Sequence, residues 1–363
     1  MITNIKIRRA VVCLLCISIF FLSVSLLFSP KKNFSENENR YLAKFPVFSL
    51  RTVLNGEYAD SLNDWLTDHF PQRDFFVGLK SQVEIACGRK YINGIYLAKD
   101  DYLIEPYIQP QNTDRITDTL IRFYGRIDEN KCSISLMLVP TAITIYHDKL
   151  PAYAPSSNQL ETAYTIYDRT KIPAVDCTES LLDGASKEQL YYRTDHHWTT
   201  FGAYCGYLAY CEAKGLTPIP LESLTAQIVT ETFAGTLYSK TSDYKHKKDS
   251  IIIYINPNDA LTVTYTDTGK VTDSLYNFDY LEEKDKYSLF LDNIHPLIEI
   301  ENAAADSENE LMLIKDSYAN SMVPFLTHHY RKIYVFDTRY YKEGPSEFLA
   351  EHAVVTDVLM IYN

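Results

Sequence analysis

The chain has 363 residues, 46% of them hydrophobic and 23% charged, the balance of a folded globular protein with room for one large domain and an insertion, or for two modest domains. With 35 basic against 47 acidic residues the net charge is −12, which argues against a nucleic-acid-binding surface and names no partner. The 29 tyrosines are better explained by packing than by glycan contacts, and the seven cysteines show no zinc-ribbon spacing and demand no disulfide.

Residues 1–9 carry Lys6, Arg8 and Arg9, and Ala10–Phe28 then runs nineteen residues without a charge before Lys31 and Lys32. That is close to the roughly 20 residues of a spanning helix. A cleaved signal peptide is the rival reading, but Ser23-Val24-Ser25 is a poor cleavage site inside the apolar run. Residues 1–30 are therefore expected to form a cytoplasmic N-terminus and an uncleaved signal anchor, single-pass in the cell membrane, with the bulk of the chain extracytoplasmic.

Residues 31–50 read as a linker, and the globular domain is expected over 51–363. Leu54, Tyr58, Leu62, Trp65, Leu66 and Phe70 make a helical stripe over 52–70 that Pro71 ends, and a second helix runs to Ala86. A hairpin is expected over 91–103 and an amphipathic helix over 112–130. Residues 133–139, 310–314, 332–336 and 358–362 are nearly continuous apolar runs, the pattern of strands buried on both faces. Helical stretches at 158–170, 201–214, 318–329 and 344–352 alternate with them, so the fold class is α/β, a parallel sheet covered on both sides. Between about 221 and 300 the texture changes to alternating Thr, Ile, Tyr and Val, which predicts a β-rich antiparallel insertion.

Two stretches carry chemistry. Thr194-Asp195-His196-His197-Trp198 opens a helical pattern that Thr199 or Thr200 can cap and Gly215 can end. In an extended segment, side chains two apart share a side, so Asp195 can orient the ring of His197 while His196 points away. Ser317 follows the strand Leu311–Ile314 and precedes a helix, whose N-terminus would offer free N–H groups to a developing oxyanion. His197 is then the base that takes its proton. The bland alternative makes Ser317 an ordinary N-cap and Asp316 a charged turn residue. The pairs His196-His197 and His328-His329 open a metal reading with Asp195, but no HxH or HExxH spacing appears and no metal is expected; His328-His329 would end the helix after Ser317.

TDHHW followed by FGAY, and IKDSYANSMVPFL followed by KIYVFDTRYY, resemble the DHHW family of bacterial extracytoplasmic proteins. That family is similar to the SGNH-hydrolase-like alginate O-acetyltransferases. SENENRYLAKFP, IYLAKDDYLIE, LVPTAITIYHDKLP and FAGTLYSK extend the resemblance from about residue 35 to the C-terminus. It implies a three-layer α/β/α SGNH-hydrolase-like (flavodoxin-like) domain that transfers acetyl groups to a cell-envelope or exported polysaccharide. Ser317 would be the nucleophile, His197 the base and Asp195 its partner, with Lys315 standing where the acetyltransferases usually have glycine. A membrane-bound O-acyltransferase is the implied acetyl-donor partner, and no soluble cofactor is needed. Asn320, Arg339 and Tyr340 are candidate substrate or oxyanion contacts. Two rivals share the fold: an acetyl esterase with water as acceptor, and a non-catalytic polysaccharide-binding or assembly protein.

Overall fold

The computed structural model describes residues 2–28, 31–35, 40–305 and 307–363. Residues 29–30 and 36–39, parts of the expected anchor and linker, lie outside the described residues. Two compact units emerge, one of residues up to Arg89 with Ser239–Tyr244, the other of Lys90–Tyr238 with Lys245–Asn363. The expected domain start at residue 51 thus falls inside the first unit.

In the first unit, Ile2–Phe28 is one helix. Its stretch Ile5–Leu26, 22 residues with a mean hydropathy of 2.3, is unburied and long and apolar enough to cross a membrane. At 1.5 Å per residue it spans about 33 Å, against about 30 Å of hydrocarbon. The stripe expected over 52–70 is interrupted at Asn55-Gly56, giving the helices Leu50–Leu54 and Glu57–Asp68, with Arg73–Ala86 following.

The second unit is mixed α/β. Its central sheet has seven strands: β1 (Ser133–Leu138), β2 (Leu261–Tyr265), β3 (Lys270–Thr272), β4 (Leu297–Asn302), β5 (Glu310–Lys315), β6 (Lys332–Phe336) and β7 (Asp357–Tyr362). Their order across the sheet is β3-β2-β4-β6-β5-β7-β1. The four continuous apolar runs are β6, β5, β7 and β1, paired in parallel with Leu313 opposite both Val335 and Leu359. They lack alternation because both faces are covered. Leu311, Leu313, Val335 and Ile361 pack on one face with Ala203, Tyr207 and Tyr210 of the helix Thr200–Lys214. On the other face, Met312, Ile314, Phe336 and Met360 pack with Ile166 of the helix Gln159–Thr170 and Phe348 of Pro345–Glu351.

The alternating region divides. Only Thr225–Phe233 and Asp249–Ile255 pair as a separate two-stranded sheet; β2, β3 and β4 extend the central sheet antiparallel. Alternation reports burial of one face, here Val263, Tyr265, Ile298 and Ile300, and the border of an existing sheet supplies that as well as an insertion does. The hairpin expected over 91–103 is instead three short strands, Tyr91–Ile92, Ile95–Leu97 and Leu103–Ile104. The helix expected over 112–130 covers Thr113–Tyr124. The one expected over 318–329 is a 3-10 turn, Ser317–Ser321, followed by Val323–Leu326. Pro324, with no N–H to continue the ladder, sits in the first turn of a restarted helix.

Trp198 is fully buried under Thr200–Lys214, and Gly206 makes that possible: a Cβ there would lie 2.8 and 2.9 Å from two indole ring carbons. Gly206→Val should lower the unfolding free energy by about 1–3 kcal/mol through overpacking, read as a lower urea midpoint. An unchanged midpoint would mean that the indole moves aside freely.

Candidate active site

Ser317 sits where β5 leaves the sheet, and Asp316 shapes that exit. Its N–H donates to the Ile361 carbonyl (3.1 Å), Oδ1 accepts the Tyr318 N–H (2.9 Å) and Oδ2 accepts the Asn363 N–H (2.8 Å). Asp316 is thus the N-cap, a role that the bland alternative gave to Ser317. Burial pushes its carboxyl up, opposed by the two N–H donors. Of the free N–H groups expected at the start of the helix after Ser317, that of Tyr318 is consumed by this cap, and the segment there is a 3-10 turn.

The second stretch is a tight reversal. Tyr191 bridges Trp198, the Thr199 N–H donates to the Leu190 carbonyl (2.7 Å), and the Tyr192 N–H to that of His197 (3.2 Å). Buried Asp249 braces it by accepting from the N–H groups of Arg193 (3.0 Å) and Thr194 (2.8 Å). Thr199 caps the next helix, accepting from the Gly202 N–H, and Gly215 ends it.

These segments bring Asp195, His197 and Ser317 into line. Asp195 Oδ1 lies 2.6 Å from His197 Nδ1, and His197 Nε2 lies 2.7 Å from Ser317 Oγ. Asp195 Oδ2 accepts from the N–H (2.7 Å) and Oγ1 (3.0 Å) of Thr236. An ionised Asp195 fixes the proton of His197 on Nδ1 and leaves Nε2 as acceptor for the serine hydroxyl. Burial opposes the Asp195 charge, but the flanking imidazoles and Thr236 hold its carboxyl well below the usual range. Burial, with the neighbouring His196, lowers His197 to about 4, so its neutral form dominates at pH 7. The Tyr287 ring stacks on His197 at 3.8 Å and 9°, with its hydroxyl 3.1 Å from the Ser317 carbonyl.

Two further hydrogen bonds join the stretches: the Trp198 indole N–H donates to the Tyr318 carbonyl (2.8 Å), and the Tyr318 hydroxyl donates to the His196 carbonyl. His196 does not point away as expected. Its ring lies 3.9 Å from that of His197, with Nδ1 2.9 Å from Thr236 Oγ1, because residues 193–197 bend rather than extend. Asp195, His196 and His197 offer potential metal-ligating atoms within 4.8 Å of one another. Both nitrogens of His197 are already engaged by Asp195 and Ser317, so the set fits a hydrogen-bonded relay better than a cation site.

A DHHW protein family model matches residues 113–336, which include the whole relay. The chain belongs to the DHHW family. A DHHW family protein from Eubacterium siraeum shares 26% identity at a TM-score of 0.64, covering 74% of this chain and 90% of that one. Bacillus cereus PatB1, solved with a sulfonyl adduct, shares the fold at 18% identity and a TM-score of 0.59, over 74% of this chain and 93% of its own. The probable alginate O-acetylase AlgJ of Pseudomonas syringae pv. tomato is 23% identical over 208 residues, 55% of this chain and 53% of AlgJ. The chain thus matches about half the length of that curated relative.

In this DHHW protein the remaining candidates form no hydrogen bond with the relay among the described residues. Asn320 is buried with its Oδ1 unpartnered among the described residues. Arg339 is engaged with Asp337 (Nε 2.8 Å, Nη2 2.5 Å), and exposed Tyr340 lies with its ring 5.5 Å from the Arg339 guanidinium. A cavity of about 690 Å³ between the helices Thr113–Tyr124 and Gln159–Thr170 includes none of the three relay residues in its lining. Sequence reasoning missed Thr236, Gly235 and Tyr287. The first two lie in FAGTLYSK, and Gly235 is required by contact: a Cβ would fall 2.3 Å from Asp195 Oδ2. Tyr287 carries no sequence signal.

His197 makes stability depend on pH. Unfolded, it takes up a proton near pH 6.5; folded, only near 4. Between those values the unfolded state binds a proton that the folded state excludes, so stability falls as pH drops, by up to about 1.4 kcal/mol per pH unit. Urea unfolding from pH 7 to 4.5 should show this slope in wild type in excess of that in His197→Gln; equal slopes would place a charged imidazole in the folded protein.

Proposed function

We propose that this chain is an extracytoplasmic O-acetyltransferase that acetylates a cell-envelope or exported polysaccharide, with Ser317 as nucleophile, His197 as base and Asp195 as its orienting partner. The observation that carries this reading is the unbroken relay at 2.6 and 2.7 Å. Parallel strands with apolar cores on both faces support an SGNH-hydrolase-like α/β/α arrangement for the second unit. Similarity to AlgJ, named for alginate O-acetylation, supports the choice of a polysaccharide acceptor.

In the first half-reaction, Ser317 Oγ attacks the acetyl carbonyl carbon and its proton passes to His197 Nε2. The tetrahedral oxyanion collapses, the donor's C–O bond breaks, and the leaving oxygen takes the proton from His197. In the second, an acceptor hydroxyl gives its proton to His197 and attacks acetyl-Ser317. The ester is transferred, and the serine oxygen recovers the proton. Asp195 stabilises the imidazolium in both. The donor would be a membrane-bound O-acyltransferase passing acetyl groups outward, with Ile5–Leu26 anchoring the chain beside it. With water as acceptor the same steps give an esterase.

Incubation with an activated acetyl ester or a sulfonyl fluoride should add one group to the protein by intact mass, absent in Ser317→Ala. Equal labelling of that variant would place the nucleophile elsewhere. His197→Ala should cost about 10⁴–10⁶ in turnover, or roughly 5–8 kcal/mol of barrier, and His196→Ala roughly tenfold to a hundredfold. A polysaccharide that accepts the acetyl group faster than water does identifies a transferase, and release of acetate alone identifies an esterase.

For the anchor, the full chain should remain in the membrane pellet after alkaline carbonate washing. A mature N-terminus sequenced near residue 26 or beyond would show that the helix is removed instead.

A further inference from the structure

A run of large apolar side chains in the first unit lies uncovered. Phe45, Val47, Phe48, Leu50 and Leu54 are 60–87% exposed. Residues 40–56, which contain them, include Arg40, Lys44 and Arg51 and no acidic residue, in a chain of net charge −12. Arg40 is paired with Asp68 (2.5 and 3.0 Å), whereas Lys44 and Arg51 are exposed. Two rings of the run touch the helix Glu57–Asp68: Phe45 stands edge-on to Trp65 at 5.0 Å, and Phe48 to Tyr58 at 5.9 Å. That helix is fixed in turn to the exit of the long apolar helix. The Lys31 ammonium donates to the carbonyl of Leu26 (2.5 Å), the last residue of the apolar stretch, and sits 4.9 Å from the centre of the Trp65 ring. His69, stacked on Trp65 at 4.9 Å, has Nε2 3.1 Å from the Lys32 carbonyl. A single lysine side chain thus spans the gap between the end of the apolar stretch and the indole.

We propose that residues 45–54 lie in the membrane interface beside the anchor, with their apolar side chains against the outer ends of the acyl chains and Lys44 and Arg51 toward anionic lipid headgroups. The proposal rests on the reading of Ile5–Leu26 as an uncleaved anchor. A stretch of that length fills the hydrocarbon core, so the residues at its end meet the headgroup layer, about 5–8 Å thick on each side. The Lys31 contacts put Trp65 in that layer, where aromatic rings with an apolar body and a polar tip settle. From the indole the exposed run continues through Phe45 to Leu54, so it prolongs the membrane contact and is no isolated patch. In water it would be a contiguous apolar surface of the kind that soluble proteins seldom show. Apolar and basic side chains without a carboxylate among them match acyl chains under anionic phosphates. A protein partner would account for the apolar side chains but gives no reason for charge of one sign.

The test uses the two tryptophans of the full-length chain, Trp65 and Trp198. The protein is reconstituted in vesicles of phosphatidylcholine and phosphatidylglycerol whose acyl chains carry bromine, a quencher of indole fluorescence, near either the headgroup end or the methyl end. The vesicles are then floated through alkaline carbonate. Trp198 is fully buried in the second unit, so the difference between wild type and Trp65→Phe reports Trp65. Emission of Phe48→Trp in excess of wild type reports the run itself, from a site that is already exposed. Both signals should fall by roughly half with the shallow bromine and by less with the deep one, as for rings seated about 5–10 Å into the boundary. Circular dichroism checks folding, and Val47→Trp replaces Phe48→Trp if that variant is unfolded. Floated protein in which the new tryptophan is quenched by neither bromine overturns the proposal, leaves the anchor standing and gives the face to a protein partner. Protein that washes off the vesicles overturns the anchor reading, and the proposal with it.

Discussion

Two hydrogen bonds running in opposite directions, from the Trp198 indole to the Tyr318 carbonyl and from the Tyr318 hydroxyl to the His196 carbonyl, hold together stretches 120 residues apart. Both side chains are fully buried, so neither can swing away without stranding a polar group in the core, at about 1–3 kcal/mol each. They fix the backbone on either side of the His197–Ser317 contact and leave the ring and the hydroxyl little choice of separation. The bare surface of Gly206 against the indole and the Tyr287 ring against His197 follow from this constraint, because each fills space that the crossed pair defines.

Three aspartates around the site use the same local device with different outcomes. Asp249 accepts N–H groups of Arg193 and Thr194, Asp316 those of Tyr318 and Asn363, and Asp195 those of His197 and Thr236. In each case the N–H donors oppose the desolvation of the carboxylate, which ties its own segment to a second one or to the turn beside it. Asp195 alone of the three also meets an imidazole nitrogen, and that nitrogen belongs to the ring that reaches Ser317. What separates a supporting aspartate from one in the relay is therefore its side-chain partner, since the backbone contacts are alike.

This explains what could be read from the chain beforehand. The four parallel strands were legible because strands covered on both faces become uninterrupted apolar runs, as in Leu311–Ile314. Asp195, His197 and Ser317 were legible from their unusual neighbours and from the strand before Ser317. Thr236 and Tyr287 were not, since their contacts span some 41 and 30 residues and leave no periodicity. The orientation of His196 was misjudged because alternation holds only for extended backbone, and a bend between Arg193 and His197 puts both rings side by side. The strands β2 and β4 were recognisable, but alternating burial does not specify which sheet they join.

The chain order of the relay, Asp and His before Ser, follows from the same packing. The helix Thr200–Lys214 lies on the face of the sheet that carries Leu311 and Leu313, and its capped N-terminus brings the preceding loop to the carboxyl end of β5. Open sheets with parallel strands gather ligand sites at that end, because the connections leaving successive strands converge there. A residue from any connection can meet Ser317 there if its loop is braced, and Asp249 and Thr236, from the segment after that helix, supply the bracing. Relay order along the chain is thus set by which crossover carries the braced loop. The chemistry depends only on where the three side chains end, which is why the same constellation can arise in different orders.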